Sequence, residues 1–218
     1  MQSVMEKIEL INALPVVFAG REPVASEVWQ RELTLERGHH CLIAAESGTG
    51  KSSLCAYVYG YRVDYSGTIR FDGRDISSLS IAEWCDIRQR HIAYLPQDLR
   101  LFPELTALEN VQLKNHLTGH KSEREIGDWF EMLGIADKLD SPVSKLSIGQ
   151  QQRVAIIRTL CQPADFIMLD EPVSHLDETN NHIVARLVLG EAQCQGAGVI
   201  ATSVGNHLRL DGAKIYLL

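Results

Sequence analysis

One short segment limits the possible folds of this chain more than any other. Residues 40–45 read HCLIAA, which is typical of a buried strand, and residues 50–59 have the pattern of a helix. A glycine-containing turn joins them. Glycines let the backbone curl so that successive N–H groups point inward, and the start of a helix offers its positive end to the same anion. The segment therefore predicts a strand, a phosphate-binding loop and a helix.

The side chains of this loop indicate which phosphate compound binds there. Lys51 would place a positive charge at the β- and γ-phosphates of ATP, and the Ser52 hydroxyl would be a ligand for Mg²⁺. Such motifs usually open with glycine, whereas this one opens with Ala45, a change that we expect the loop to tolerate. A chance glycine-rich turn is the alternative, which the flanking strand and helix disfavour. The predicted ATP-binding residues of the loop are Ala45, Glu46, Ser47, Gly48, Thr49, Gly50, Lys51, Ser52 and Ser53.

A pair of carboxylates follows a second apolar run, at residues 164–172 (ADFIMLDEP). Ligands of open α/β sheets lie at the ends of strands, which is where the pattern puts both acids. Asp170 is predicted to hold Mg²⁺, directly or through water, and Glu171 to face the γ-phosphate and orient or deprotonate the attacking water. A solvated strand end is the alternative, and the phosphate loop earlier in the chain makes it the weaker one.

The order of elements predicts an α/β fold. Short apolar runs at residues 92–95, 166–169 and 199–202 alternate with helical patterns, as in a parallel sheet covered by helices. Residues from about 98 to 145 differ, because they contain two S/T-x-x-E capping boxes and a helical apolar face. We predict a single domain of residues 1–218, in which this helical subdomain is inserted into a core.

Charge and composition exclude several other classes. The net charge of −7 disfavours direct binding of nucleic acid, which needs a basic face. The N-terminus does not resemble a secretion signal, and no apolar run is long enough to cross a bilayer, so any membrane role is expected to come through a partner. The five cysteines are scattered and predict neither a metal site nor a disulfide framework.

A third segment, residues 146–153 (LSIGQQQR), precedes a strongly apolar helical pattern. Ser147 is a credible N-cap for that helix. A capped helix start with a nearby glycine is itself an anion site, but taken alone these residues favour a capped helix and nothing more.

Together these segments resemble the nucleotide-binding subunit of ATP-binding cassette (ABC) transporters, over nearly the whole chain. LSIGQ at residues 146–150 is similar to the family signature LSGGQ, YLPQ at 94–97 to its glutamine loop, and VSHLD at 173–177 to the loop after the catalytic acid. Size and body pattern look nearest to the branch that includes lipoprotein release, macrolide export and cell-division complexes.

The resemblance implies a P-loop NTPase core, mostly parallel but with an antiparallel β part, at residues 1–97 and 146–218. It also implies a head-to-tail dimer with a second cassette subunit, the same or a different one. This dimer would bind a transmembrane permease from the cytoplasmic side of the membrane. Ser147, Gly149 and Gln150 would contact the nucleotide of the other subunit. Gln97 would touch Mg²⁺ and the attacking water, and the ring of Phe18 would stack on adenine.

Two positions depart from the family pattern. The strand that usually ends in a γ-phosphate-binding histidine ends here in Ser203, and Ile148 replaces a signature glycine. His207 lies four residues later and could reach in, but its spacing is wrong for the motif and favours a surface position. We therefore predict slow hydrolysis, with Glu171, Gln97, Ser203 and Lys51 as the catalytic set and ATP-driven closure retained.

Two other functions remain open at this point: a cassette ATPase that acts on nucleic acid, and a scaffold that binds ATP without using it. The first class usually carries a long coiled coil between the glutamine loop and the signature, for which this chain has no room. The departures from the pattern favour the second. Four apolar residues follow Gln97: Leu99, Leu101, Phe102 and Leu105. Taken singly, each is better explained as part of the core of the helical subdomain; as a group they are candidates for the border of a groove that receives a short helix of the membrane partner.

Overall fold

The computed structural model describes residues 4–20, 26–46 and 48–218. These residues form strands and helices in alternation. The strands are β1 Lys7–Pro15, β2 Glu32–Glu36, β3 His40–Ala44, β4 Tyr65–Phe71, β5 Arg74–Asp75, β6 Ile92–Leu95, β7 Phe166–Asp170, β8 Gly198–Ser203 and β9 Lys214–Leu217. The α-helices are α1 Lys51–Val58, α2 Ile81–Asp86, α3 Ala107–Asn115, α4 Glu123–Met132, α5 Ile148–Leu160 and α6 Glu178–Gln195.

A five-stranded parallel sheet carries the predicted loops. Its strand order is β6-β7-β8-β3-β9, so β8 lies between the strand that ends at Asp170 and the strand that leads to the phosphate loop. Every residue of β7 and β8 is buried, because helices cover both faces of such a sheet. Parallel strands end at the same edge, and this arrangement brings the loops after β3, β7 and β8 together.

A second, antiparallel sheet has the order β2-β1-β4-β5. Burial alternates along β2, as expected when one face of a sheet packs on a core and the other faces solvent. Strands β4 and β5 form a hairpin that turns at Asp72 and Gly73. The predicted fold class, a mostly parallel α/β core with an antiparallel part, is thus confirmed.

The two capping boxes that the sequence predicts are confirmed in the middle of the chain. Thr106 pairs with Glu109 at the start of α3, and Ser122 pairs with Glu125 at the start of α4. Each box satisfies backbone donors that the first turn of a helix leaves free. Both helices pack against α5. The division of the chain into a core and a helical subdomain stays a prediction.

A buried carboxylate fixes the beginning of β7. Asp165 accepts hydrogen bonds from Arg37 Nε at 3.1 Å and from the backbone N–H of Met5 at 2.8 Å, and its Oδ2 lies 2.6 Å from His91 Nδ1. The hydrogen bond to Asp165 raises the pKa of His91 above its usual value. These contacts tie β7 to both sheets at the edge opposite the predicted site. Among the described residues, no helix combines the length and apolar character that a membrane span requires.

Candidate active site

The phosphate loop spans the gap between the end of β3 and the start of α1. Gly50 is the N-cap of α1 and has a left-handed backbone, with φ of +100°. A Cβ at this position would lie 3.1 Å from the ring of Phe18 and 3.2 Å from that of Trp29, so a side chain would be both strained and crowded. Ser47, one of the predicted binding residues, lies outside the described residues.

Lys51 is almost completely buried at the first position of α1, with 5% of its side chain exposed. Its Nζ donates to the backbone oxygen of Glu46 at 2.9 Å and lies 4.0 Å from Glu171 Oε1. The Trp29 Nε1–H donates to the Thr49 carbonyl at 3.0 Å and holds the loop in place. The loop thus directs a buried cation toward the predicted catalytic acid, where a phosphate would complete its hydrogen bonds.

The three predicted Mg²⁺ ligands line a single cleft. Ser52 Oγ donates to Gln97 Oε1 at 3.3 Å, and both residues border a cavity of about 630 Å³ together with Asp170. The cavity also includes Ser53. These residues come from α1, the glutamine loop and the end of β7, so only the tertiary structure brings them together.

Asp170 shows that this donor set suits a cation. Its side chain is buried, and Oδ1 accepts a hydrogen bond from Thr202 Oγ1 at 2.6 Å. The other oxygen, Oδ2, has no hydrogen-bond partner among the described residues. A buried carboxylate oxygen without a donor is uncommon, and a hard divalent cation would satisfy it. The residues present therefore fit Mg²⁺.

Glu171 has a strained backbone, with φ of +53°. Its N–H donates to the Thr202 carbonyl at 3.2 Å, and its own carbonyl accepts from Gln152 Nε2 at 3.0 Å. A left-handed non-glycine residue costs about 1–3 kcal/mol and persists only when its surroundings hold it. Gln152, which the sequence analysis missed, also accepts from the His175 N–H at 3.1 Å. The sequence did carry one signal for this role of Gln152, because it is a polar residue on the apolar side of α5.

The signature segment forms the capped start of α5. The Gln150 N–H donates to Ser147 Oγ at 3.3 Å, and Gln150 Oε1 accepts from the Ser147 N–H at 2.9 Å. A Cβ at Gly149 would lie 3.1 Å from the His175 carbonyl, so this glycine allows close packing of the loop after Glu171. Ile148 is half exposed. Among the described residues, the side-chain hydrogen bonds of Ser147 and Gln150 do not reach the phosphate loop.

The end of β8 shows how His207 is placed, for which the sequence leaves two possibilities open. Ser203 is buried at the strand end, and its carbonyl accepts from the Ala45 N–H at 3.2 Å. The spacing of His207 favours a surface position, and the residue is indeed exposed to solvent. Its ring nevertheless reaches back, and Nδ1 shares a hydrogen bond with Ser203 Oγ. A turn shortens the path from one residue to the other, and spacing along the chain does not reveal it.

The glutamine loop is held by a residue that the sequence analysis also missed. Leu99 and Arg100 both have left-handed backbones, with φ of +56° and +49°. The guanidinium of Arg158, on α5, donates to the carbonyls of both. Burial lowers the pKa of Arg158. One helix therefore carries the signature at its start, contacts Glu171 through Gln152 and fixes the glutamine loop through Arg158.

Phe18 lies in a short 3-10 turn, Val16–Phe18, and is half buried with its ring edge against Gly50. This places an aromatic side chain beside the phosphate loop. Its stacking on adenine stays a prediction.

This fold and this arrangement of loops define a nucleotide-binding P-loop ATPase domain. Residues 29–174 match the family model described as ABC transporter. The chain belongs to the ABC transporter family, as the resemblance of its motifs predicts.

Several relatives in this family are similar to the chain. It is 35% identical over 175 residues to the ABC transporter ATP-binding protein YtrE of Bacillus subtilis, covering 78% of this chain and 74% of the relative. It is 31% identical to the lipoprotein-releasing system ATP-binding protein LolD of Shewanella frigidimarina, covering 81% and 75%. Among solved structures, the dimeric bacterial ABC transporter cassette MJ0796 matches with a TM-score of 0.74 and 27% identity, covering 89% of this chain and 87% of that one.

Proposed function

We propose that the chain binds and hydrolyses ATP to drive a transmembrane permease, as one of two cassette subunits on the cytoplasmic side of the membrane. The observation that carries this proposal is the cleft at the end of the parallel sheet, where Lys51 faces Glu171 and where Ser52, Gln97 and Asp170 meet. The similar proteins YtrE and LolD are ATP-binding proteins of transport or release systems, which supports the permease partner.

The residues of the chain divide the hydrolytic work among them. Lys51 would stabilise the charge of the β- and γ-phosphates, and Glu171 would orient the attacking water or accept its proton. Ser52, Gln97 and Asp170 would hold Mg²⁺, which supplies charge neutralisation at the phosphates. The strained backbone of Glu171, fixed by Thr202 and Gln152, sets the direction of its carboxylate.

The trans site requires a second subunit. In this chain Ser147, Gly149 and Gln150 cluster at the start of α5. The hydrogen bonds between Ser147 and Gln150 join these two residues to each other and do not involve the phosphate loop of the same chain. Facing another subunit, they would offer a helix N-terminus and a hydroxyl to the γ-phosphate. ATP would then favour the closed dimer because it binds that state more tightly than the open one. The second subunit is either a copy of this chain or a different cassette. The solved relative MJ0796 is a dimer, which supports this arrangement.

The permease is expected to dock beside the glutamine loop. Tyr61 and Phe102 are exposed there and border a cavity of about 230 Å³. Burial lowers the pKa of Lys114, in the same cavity, to about 8. An amphipathic segment with apolar and acidic residues would suit this surface. Of the four apolar residues that the sequence indicates, Leu99 is buried in the core, Leu101 is half-buried against it and Leu105 is half-buried, so Phe102 is the exposed member of that group.

Phe102→Asp is therefore expected to abolish assembly with the membrane partner while leaving ATP affinity within about twofold, since the residue contacts no phosphate-binding group. The measurement is co-purification of the chain with its partner from membranes. Ile81→Asp, at an exposed apolar residue outside this cavity, is the matched control. Normal assembly of the Phe102 variant would contradict the docking surface.

We also propose that hydrolysis is slow because Ser203 replaces the expected histidine. Ser203→His, combined with His207→Ala to make room, is expected to raise the steady-state rate of ATP hydrolysis by about 10-fold, the gain expected from one added hydrogen bond to the charged γ-phosphate. The wild type is the reference for the gain, and the two single variants show what each change contributes to the rate. A wild-type rate already typical of transport cassettes, with no gain in the double variant, would contradict this explanation.

A further inference from the structure

We infer that His207 is a positioning residue for hydrolysis: it orients the Ser203 hydroxyl as a hydrogen-bond donor to the γ-phosphate. A pair of side chains would then replace the single histidine that the family pattern predicts at this strand end. This inference rests on the proposed function and concerns the same site.

Ser203 lies between the two groups that the reaction needs. Strand β8 runs between β7 and β3, so the end of β8 lies between the strand end that carries Glu171 and the strand end that leads to the phosphate loop. The residue before it, Thr202, accepts the Glu171 N–H, and Ser203 itself accepts the Ala45 N–H at 3.2 Å. The end of β8 therefore lies beside the region where the terminal phosphate of ATP would lie, and we take the Ser203 hydroxyl to reach that phosphate.

The backbone of His207 is fixed by buried polar contacts. Asn181 of α6, which is 2% exposed, donates from Nδ2 to the His207 carbonyl at 2.8 Å. The Asn206 N–H donates to the Val204 carbonyl at 2.9 Å and closes the turn, while Asn206 Nδ2 donates to the Val173 carbonyl at 3.0 Å. An ordinary surface histidine needs no such support. Here the support places the ring against Ser203.

The direction of the Ser203–His207 hydrogen bond decides what the serine can do. If Nδ1–H donates to Ser203 Oγ, the hydroxyl proton is free to donate to a phosphate oxygen. In the other tautomer the serine proton points at the ring, and its lone pairs would face the phosphate and repel it. A negative phosphate therefore favours the Nδ1–H tautomer. In this form His207 acts through the serine. The hydrogen bond from the Ser203 hydroxyl to the phosphate becomes stronger as negative charge develops on the phosphate oxygens.

The first test separates turnover from binding. His207→Ala is expected to lower kcat about 10-fold and to leave the Kd for Mg²⁺-ATP within about twofold, because the donor contributes mainly to the transition state. His207→Asn should recover most of the rate, since its amide can donate from nearly the same place as Nδ1. Ser203→Ala and the Ser203→Ala, His207→Ala double variant should be equally slow, because the two residues act as one unit. His116→Ala, at an exposed histidine that ends α3, is the control.

The second test reads the tautomer directly and does not depend on turnover. ¹⁵N NMR of labelled histidine, assigned by comparison with His207→Ala, should show the Nδ1–H form when Mg²⁺ and a non-hydrolysable ATP analogue are added. An Nε2–H form under these conditions would overturn the inference. A wild-type rate of ATP hydrolysis in His207→Ala would overturn it as well, and so would a His207→Asn variant that is no faster than His207→Ala. If the wild-type chain instead fails to bind ATP at all, the proposed function fails first.

Discussion

Glu171→Gln is expected to lower the ATP turnover of the chain by about 100-fold or more, the usual loss when a positioned general base is removed. Glutamine keeps the shape of the side chain and its backbone contacts to Thr202 and Gln152, but it cannot accept the proton of water. ATP affinity should stay within about twofold, because Lys51 and the loop amides remain. The variant should therefore accumulate as an ATP-bound dimer.

The measurement is a steady-state ATPase assay on the chain with its membrane partner, together with size-exclusion chromatography of the isolated chain with Mg²⁺-ATP. Glu131→Gln, at an exposed acid on α4, is the matched control and should behave like wild type. Equal, very low turnover in the wild type and in Glu171→Gln would favour the alternative in which the chain binds ATP and only scaffolds a complex.

Lys51→Ala is expected to weaken Mg²⁺-ATP binding about 100-fold, since it removes charged hydrogen bonds to the phosphates worth about 3 kcal/mol. Among the described residues, the ammonium donates to the Glu46 carbonyl and lies near Glu171, so a phosphate is a natural further partner. Titration calorimetry gives the affinity. The fluorescence of Trp29, whose indole donates to the loop carbonyl of Thr49, offers a second measurement.

Lys138→Ala, at a partly exposed lysine paired with Asp137, is the control for charge removal alone. Thermal unfolding should show that the Lys51 variant remains folded, because its helix is anchored by buried apolar neighbours. Unchanged affinity in a folded Lys51 variant would show that the loop does not bind the triphosphate in the way proposed, and the assignments of Ser52 and Glu171 would lose their basis.

The sequence predicts well those features that depend on near neighbours. The phosphate loop, the carboxylate pair after a buried strand and the capping boxes at Thr106 and Ser122 all require particular residues within a few positions of one another. The antiparallel part was predicted from family resemblance, because strand order depends on pairings between distant segments. The dimer was also predicted from that resemblance, and it stays a prediction. Local chemistry alone left the segment at Ser147 as a plain capped helix.

Contacts between residues that are far apart in the sequence could not be predicted from such local motifs. Gln152 supports Glu171, and Arg158 holds the strained backbone of the glutamine loop, yet in the sequence both are ordinary polar residues of a helix. The same reason explains Leu99, which the pattern leaves open to a partner and the fold buries. Burial is a property of the packed molecule, and a short apolar run can face either way.

The sequence by itself determined that a phosphate loop, a candidate Mg²⁺-binding acid and a candidate catalytic acid occur in this chain, because each motif is made of adjacent residues with fixed chemistry. Only the tertiary structure decided that these groups lie together at one edge of the parallel sheet and that His207 reaches Ser203. The physical reason is that parallel strands bring the ends of distant segments to one edge, and a side chain's partners there are set by packing and by turns rather than by spacing along the chain.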